Sequence, residues 1–306
     1  MSNTKEIKEQ WNLTAATVLI PVLFTLLFYI IAIWRYRVTG SAFYLYNFGY
    51  IGSALGLGIF FNSALPKTKK LWGRRIAQLL IGSYMLLFVG FILRENMQIE
   101  GFFFYLLLGI FAGATLHYFI AKICGTLIFG RGWCGWACWT AMILDLLPWR
   151  QPEKGRLKKF GVVRYIHFVF SLLLVLLFWF ILEQRDIYSK SFNELMWLAT
   201  GNLFYYSSGL LLAFRLKDNR AFCKYLCPIP VLQKIGARFA LLKVQINADK
   251  CINCGVCEKN CPMDIKLLEY KDRGTRVLST ECIMCASCIN SCPRQAVDVT
   301  VGFDGW

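Results

Sequence analysis

The sequence predicts an α-helical integral membrane bundle of about six transmembrane helices, with a small α+β domain at the C-terminus. Three observations predict it. Hydrophobic residues make up 57% of the 306-residue chain and charged ones only 17%, too apolar a balance for an ordinary soluble domain. Six apolar runs approach or exceed the ~20 residues that a bilayer requires. From about Lys243 those runs stop, and Asn, Asp, Lys and Cys take over. The expected domains are therefore 1–242, in the membrane, and 243–306, outside it.

The runs are roughly Asn12–Trp34, Phe43–Phe61, Ile76–Leu93, Gly101–Ile123, Tyr165–Leu182 and Leu195–Phe214. The first is too long for the apolar core of a signal peptide and ends in WRYR, without a small-residue cleavage site. The second is the weakest span. It carries Gly49, Gly52, Gly56 and Gly58, residues that let helices approach closely.

Orientation follows from the loops. "PKTKKLWGRR" carries Lys67, Lys69, Lys70, Arg74 and Arg75, and the stretch Arg150–Arg164 carries Lys154, Arg156, Lys158 and Lys159. After the sixth run come Arg215, Lys217, Arg220 and Lys224. Basic loops stay cytoplasmic, whereas "RENMQIE" and "EQRDIYSKSFNE" are balanced or acidic. Both termini and the polar domain are expected on the cytoplasmic side of the inner membrane. Arg35 and Arg37, in an outer loop, run against the rule. The same rule accounts for the net charge of +16 with membrane lipid, not nucleic acid, as the partner.

The polar domain has about sixty residues, few for a hydrophobic core, so something else must hold it. "CINCGVCEKNCP" contains Cys251, Cys254, Cys257 and Cys261; "CIMCASCINSCP" contains Cys282, Cys285, Cys288 and Cys292. Both read C-x2-C-x2-C-x3-C-P, the bacterial two-cluster ferredoxin pattern. Three thiolates on one tight loop take three irons of a cubane, and the fourth ligand comes from the other motif. Cys251, Cys254, Cys257 and Cys292 are expected to hold one [4Fe–4S] cluster, and Cys282, Cys285, Cys288 and Cys261 the other. Zinc and disulfides are the competing readings, but the doubled spacing with both prolines favours iron–sulfur. Metal-binding thiolates belong where thiols stay reduced.

Five cysteines lie outside these motifs. "RGWCGWACW" (131–139) and "RAFCKYLCP" (220–228) share an arginine, an aromatic, a cysteine, an aromatic and a cysteine in register. Each closes a membrane run on the expected cytoplasmic side, which suggests two pseudo-symmetric halves whose motifs meet. Cys134, Cys138, Cys223 and Cys227 could complete a third cluster, bind Cu(I) or act as redox dithiols. Buried cysteines in helices are more often simple packing residues, and the unpaired Cys124 is read so. Arg131 and Arg220 would offset thiolate charge, and Trp133, Trp136, Phe222 and Tyr225 would limit water.

On these motifs the chain resembles the polyferredoxin family of membrane quinol dehydrogenase components, NapH-type and NosR-like. That family has several membrane helices, two cytoplasmic C-x3-C-P motifs and a C-terminal two-cluster ferredoxin domain. "CKYLCPIP" is complete here; in "CGWACWT" Trp139 stands where the family has proline. The resemblance covers most of the chain from the third run on. It implies electron transfer between membrane quinol and a partner oxidoreductase or ferredoxin subunit. The flavin-bearing domain of NosR-like proteins has no counterpart here, and "AGAT" at Ala112–Thr115 is read as packing. No C-x-x-C-H occurs, which argues against covalent haem.

Weaker signals remain. His117 and His167 fall near the cytoplasmic ends of the fourth and fifth runs. They could bind haem b or quinone, although interfacial hydrogen bonding is the ordinary role. Asn202, in the polar stretch "TGNLFYYSS", needs a partner inside the membrane, either another helix or a quinone headgroup. The expected function is a membrane-bound iron–sulfur relay between the quinone pool and a partner oxidoreductase. A copper-handling or metallocentre assembly factor is the rival, and a membrane anchor with structural clusters the third reading.

Overall fold

The computed structural model describes residues 11–67, 69–111, 113–149, 155–157, 159–183 and 192–304. Arg150, Lys154 and Lys158 of the second basic loop, Ala112, most of the loop EQRDIYSKSFNE and Trp306 lie outside them. The chain divides into two compact units, Met1–Ile81 and Gly82–Trp306.

The first unit is built on an antiparallel pair, α1 (Ala15–Thr39) and α2 (Phe43–Ala64). Thr14 caps α1 by accepting from the Thr17 amide, while the Thr17 hydroxyl accepts from the Thr14 amide. This reciprocal cap satisfies two donors that the first turn leaves over. The suspected glycines of α2 do bring the helices together. A Cβ at Gly52 would fall 2.3 Å from Phe28 Cβ, and one at Gly56 2.0 Å from Thr25 Oγ1. Away from this contact, Leu19, Ile20, Leu23, Leu27 and Ile30 of α1 are more than half exposed. So continuous an exposed apolar face suggests membrane association.

The helix α3 (Lys70–Ile92) begins in the first unit and ends in the second, where it winds as a π-helix from Tyr84. There follow α4 (Ile99–Leu107), α5 (Ala114–Phe129), α6 (Gly132–Trp136), α7 (Trp139–Leu144), α8 (Lys159–Ile181), α9 (Phe192–Leu216), α10 (Ala221–Tyr225) and α11 (Ile229–Arg238). Among the described residues three helices are long and apolar enough to cross a membrane: α1, α3 and α8. They correspond to the first, third and fifth runs. The second and sixth runs form α2 and α9, helices of 22 and 25 residues whose Gly, Asn, Tyr and Ser dilute their hydropathy. The fourth run departs from expectation. It is not one helix, because α4 stops at Leu107 and the chain restarts at Ala114. Gly109 and Gly113 have φ of 68° and 53°, a left-handed backbone through which a helix cannot continue.

The C-terminal region pairs β1 (Leu242–Ile246) antiparallel with β2 (Val297–Val301), in the register Val244↔Val299. Between the strands lie α12 (Val256–Lys259), α13 (Leu267–Asp272) and α14 (Ser287–Ser291). Their small core joins Val244, Met263, Leu267, Val277 and Ile283 to buried cysteines. Asp304 closes the edge: Arg276 donates to both its carboxylate oxygens at 2.9 and 2.7 Å, and Lys243 Nζ lies 2.5 Å away.

Candidate functional site

The two C-terminal cysteine motifs fold as copies of one another. Two residues after the first cysteine of each, Asn253 and Met284 have φ of 55° and 51°; two further on, Gly255 and Ala286 have 69° and 58°. Three residues after the last cysteine, Asp264 and Gln295 have 54° and 50°. A left-handed residue other than glycine costs about 1–2 kcal/mol. Such alternation turns successive amides into one concavity, a nest for negative charge. The next amides follow suit, Ile265 N–H donating to Cys261 Sγ at 3.5 Å and Ala296 N–H to Cys292 Sγ at 3.2 Å. Sequence reading missed these left-handed positions, because only one of the six is a glycine.

Each loop pair opens on a cavity. One is lined by Cys251, Cys254, Cys257 and Cys292. The other is lined by Cys261, Cys282, Cys285 and Cys288. These are the two crossed sets that the spacing suggests. No disulfide joins the described cysteines. Among the described residues no three His, Cys, Asp or Glu side chains group tightly enough for a single ion. Four thiols around a cavity lined by amides suit a polynuclear group better than one tetrahedral ion. The sets differ in exposure. Cys261, Cys285 and Cys288 are buried, whereas Cys254 is exposed. Burial, with Cys285 beside it, pushes the Cys261 thiol up to about 12, and burial pushes Cys282 up to about 11. These sulfurs become thiolates at neutral pH only when a metal takes the proton's place.

The membrane-edge cysteines also gather. Cys138, Cys223 and Cys227 each lie close enough to Cys134 to feel its charge, and Cys227 feels all three others. Burial pushes Cys223 up to about 11 against the opposing pull of Arg220, whose Nη1 lies 3.8 Å from its sulfur. Cys134 Sγ donates to Gln233 Oε1 at 3.0 Å. Arg220 is wholly buried, pairs with Asp145 and donates to the Cys134 carbonyl at 3.0 Å, so it ties the second motif to the first. Phe222 and Tyr225 are buried around the site; Trp133 and Trp136 are half-buried. Trp139, in the place of a proline, has a job of its own. It begins α7 and its Nε1 donates to Asn202 Oδ1 at 3.0 Å, while Asn202 Nδ2 donates within its helix to the Leu198 carbonyl.

Both edge motifs abut the same C-terminal loop set. Trp136 Nε1 donates to the Met284 carbonyl at 2.9 Å, and a Cβ on Gly135 would fall 2.1 Å from the Ile283 carbonyl oxygen. Only a glycine lets these backbones meet. Lys224, between Cys223 and Cys227, bonds Asp218 at 2.8 Å and Asp264 at 2.5 Å. Arg131 does not face the thiols alone; its Nη1 lies 2.5 Å from Glu281, the residue before Cys282. Sequence reading missed Glu281, Gly135 and Asp264. Their only signal was closeness to a cysteine: Gly135 and Glu281 are next to one, and Asp264 lies three residues after Cys261.

The two histidines stand at different motifs. His117 lies edge-on to Trp133, with ring centres 4.6 Å apart, and His167 Nδ1 is 2.8 Å from the Leu226 carbonyl oxygen. His117 Nε2 and the hydroxyls of Tyr118 and Tyr205 are buried with no hydrogen-bond partner among the described residues. Lys122, also buried, stacks over Tyr118 and Trp139 at 4.9 and 5.3 Å. Cys124 is exposed on α5.

Comparison with known proteins covers both cysteine regions. A 4Fe-4S dicluster domain matches residues 243–293, and a 4Fe-4S binding domain matches residues 111–156 and 207–247. An uncharacterized protein of Methanocaldococcus jannaschii is 28% identical over 206 residues, 65% of this chain and 77% of the relative. The Escherichia coli protein named for electron transport, YccM, is 27% identical over 178 residues, 52% of this chain and 49% of its own. The methylamine utilization ferredoxin-type protein MauN of Methylobacillus flagellatus is 28% identical over 148 residues, 44% of this chain and 48% of its own. The chain thus spans about half the length of these last two relatives. No solved structure matches it. The chain carries 4Fe–4S ferredoxin-type domains, which bind iron–sulfur clusters.

Proposed function

We propose that the protein relays electrons between the quinone pool and a partner oxidoreductase or ferredoxin, through three iron–sulfur centres in a line. The first would be held at the membrane edge by Cys134, Cys138, Cys223 and Cys227. The second, proximal, would be held by Cys261, Cys282, Cys285 and Cys288, and the third, distal, by Cys251, Cys254, Cys257 and Cys292. When bound, a [4Fe–4S] cluster takes up and gives up one electron. The residues do the rest. Amides aimed at Cys261 and Cys292 stabilise negative sulfur. Phe222 and Tyr225 keep water from the edge site.

One observation carries the reading: both edge motifs press on the proximal loops, at Gly135–Ile283, Trp136–Met284 and Lys224–Asp264. In this reading the contact would pass electrons from the edge site to the proximal one, and the exposed Cys254 would mark the outer end of the distal one. The unpaired polar atoms of His117, Tyr118 and Tyr205 support a quinone headgroup as the membrane-side reactant, since buried polar atoms need partners. In this reading all six apolar runs span the inner membrane, and the basic loops, both termini and the cluster domain are cytoplasmic.

The test is anaerobic purification followed by iron and sulfide analysis. Three centres require about twelve irons per chain. Replacing Cys134 and Cys223 with serine should remove about four of them, abolish quinol-linked reduction and leave both ferredoxin signals. Stoichiometric copper lost with those serines would favour the copper-handling reading. Unchanged metal content and unchanged quinol oxidation would reduce the edge cysteines to packing.

A further inference from the structure

Glu281 collects four cations. Arg131 Nη1 lies 2.5 Å from its carboxylate, Arg164 Nη1 3.0 Å, Arg156 Nη2 3.1 Å and Lys234 Nζ 3.0 Å. They come from four places: the loop before α6, the segment before α8, α8 itself and α11. Arg131 and Arg164 are wholly buried. Arg131 Nε and Nη2 and Arg164 Nε have no hydrogen-bond partner among the described residues. Among the described residues Glu281 is the carboxylate that pairs with all four, and one carboxylate cannot neutralise four cations. Around it Arg220 and Lys224 meet three carboxylates, Asp145, Asp218 and Asp264, so six cations face four carboxylates and an excess of two positive charges remains. Uncompensated buried charge is expensive, and its persistence points to a further negative charge in the folded, loaded protein. The proximal set begins at Cys282, directly after Glu281, and Cys282 feels the charge of Arg131, as do Cys134 and Cys223 of the edge set.

We propose that this ion cluster is an electrostatic element for the proximal centre, holding it at a higher reduction potential than the distal one. The inference rests on the relay reading above. A group on four thiolates is an anion, and each added electron makes it more so. A fixed positive excess beside it, in a low-dielectric setting, favours the reduced form. Burial alone would work the other way by disfavouring added charge, and the proximal set is the more buried. The remaining positive excess reverses that order. Among the described residues the distal set has a weaker field: Arg294 lines its cavity but is exposed. Its neighbour Lys271 is already paired with Asp272 at 2.9 Å, and charges beside the exposed Cys254 are screened by solvent. Arg131, Arg164, Arg156, Lys234 and Glu281 are thus positioning residues that act through the ligands.

The experiment is a potentiometric titration of the full chain in lipid nanodiscs, followed by electron paramagnetic resonance. Cys254→Ser identifies the distal signal. Lys234→Gln and Arg156→Gln remove cations from the rim, where the side chains are about a quarter exposed, and so spare the buried core. Both should move the proximal midpoint to lower potential, and Glu281→Gln should move it higher, with the distal midpoint and the iron content unchanged. If Glu281→Gln does not fold, the two rim variants decide the matter. Proximal midpoints that stay at the wild-type value, or that move together with the distal one, overturn the inference while leaving the relay intact. Wild-type protein without the ferredoxin clusters would overturn both.

Discussion

Ala286 has φ of 58° where the matching position of the other loop is Gly255. An L-residue held left-handed is strained by about 1–2 kcal/mol, and glycine removes most of that. Ala286→Gly should therefore raise the temperature at which the cluster absorbance bleaches, worth about 1 kcal/mol. The reciprocal change is also instructive. A Cβ on Gly255 meets nothing within 4 Å, so Gly255→Ala should cost about 1 kcal/mol and still load a full complement of iron. Loss of the distal signal in that variant would show that the loop needs more than a tolerated φ. Both loops keep the same bend because their amides must point inward, whatever residue supplies the angle.

At the scale of elements, the molecule depends on seams. Between α6 and the proximal loop, a Cβ on Gly135 would land 2.1 Å from the Ile283 carbonyl oxygen. Gly135→Ala should destabilise by about 1–3 kcal/mol and slow electron passage into the proximal centre, with the distal centre still reducible by dithionite. Equal rates in mutant and wild type would disconnect this seam from the route. The β1–β2 ladder has a second fastening in Asp304. Burial works against its charge, but hydrogen bonds from Arg276 and Lys243 hold its carboxyl below the usual aspartate value. A depressed carboxyl contributes stability above its unfolded value, lost only as pH falls through the folded one. Asp304→Asn should thus cost about 2 kcal/mol, seen as faster proteolysis of the C-terminal region. That difference should stay constant between about pH 5 and 8 and narrow only toward about pH 4 and below.

At the scale of the whole molecule, the C-terminal region lacks a core that could stand alone. Cys257, Cys261, Cys285 and Cys288 are part of it, along with Cys134 from the helical region. Removing iron by anaerobic chelation should therefore open the chain to protease from β1 onward, while α1, α3 and α8 stay protected in the membrane. Resistance of the C-terminal region without iron would mean that its apolar contacts suffice. The orientation is tested separately, with reporter fusions at the C-terminus and in the loop between α3 and α4, which should report opposite sides of the membrane.

Much was legible from residues alone because it is local. The two C-x2-C-x2-C-x3-C-P motifs name their ligands within a dozen positions, and apolar runs name helices, since a helix satisfies its own backbone. The repeated arginine, aromatic and cysteine pattern marked the edge motifs in the same way. Other features depended on contacts between distant stretches of chain. Arg131 meets Glu281 across 150 positions, and Trp136 meets Met284 across 148. No spacing rule reaches that far, because such pairs form only when packing excludes water from charges that would each be solvated alone. The break in the fourth run at Gly109 and Gly113 was hidden for a related reason: hydropathy records how apolar a segment is, not which φ its glycines adopt. So the sequence by itself determined the cysteine motifs, the apolar runs and the net positive charge. The tertiary structure decided which of these cysteines gather around one cavity, which loops lie against Gly135 and Trp136 and which cations surround Glu281, because burial assigns charges their partners.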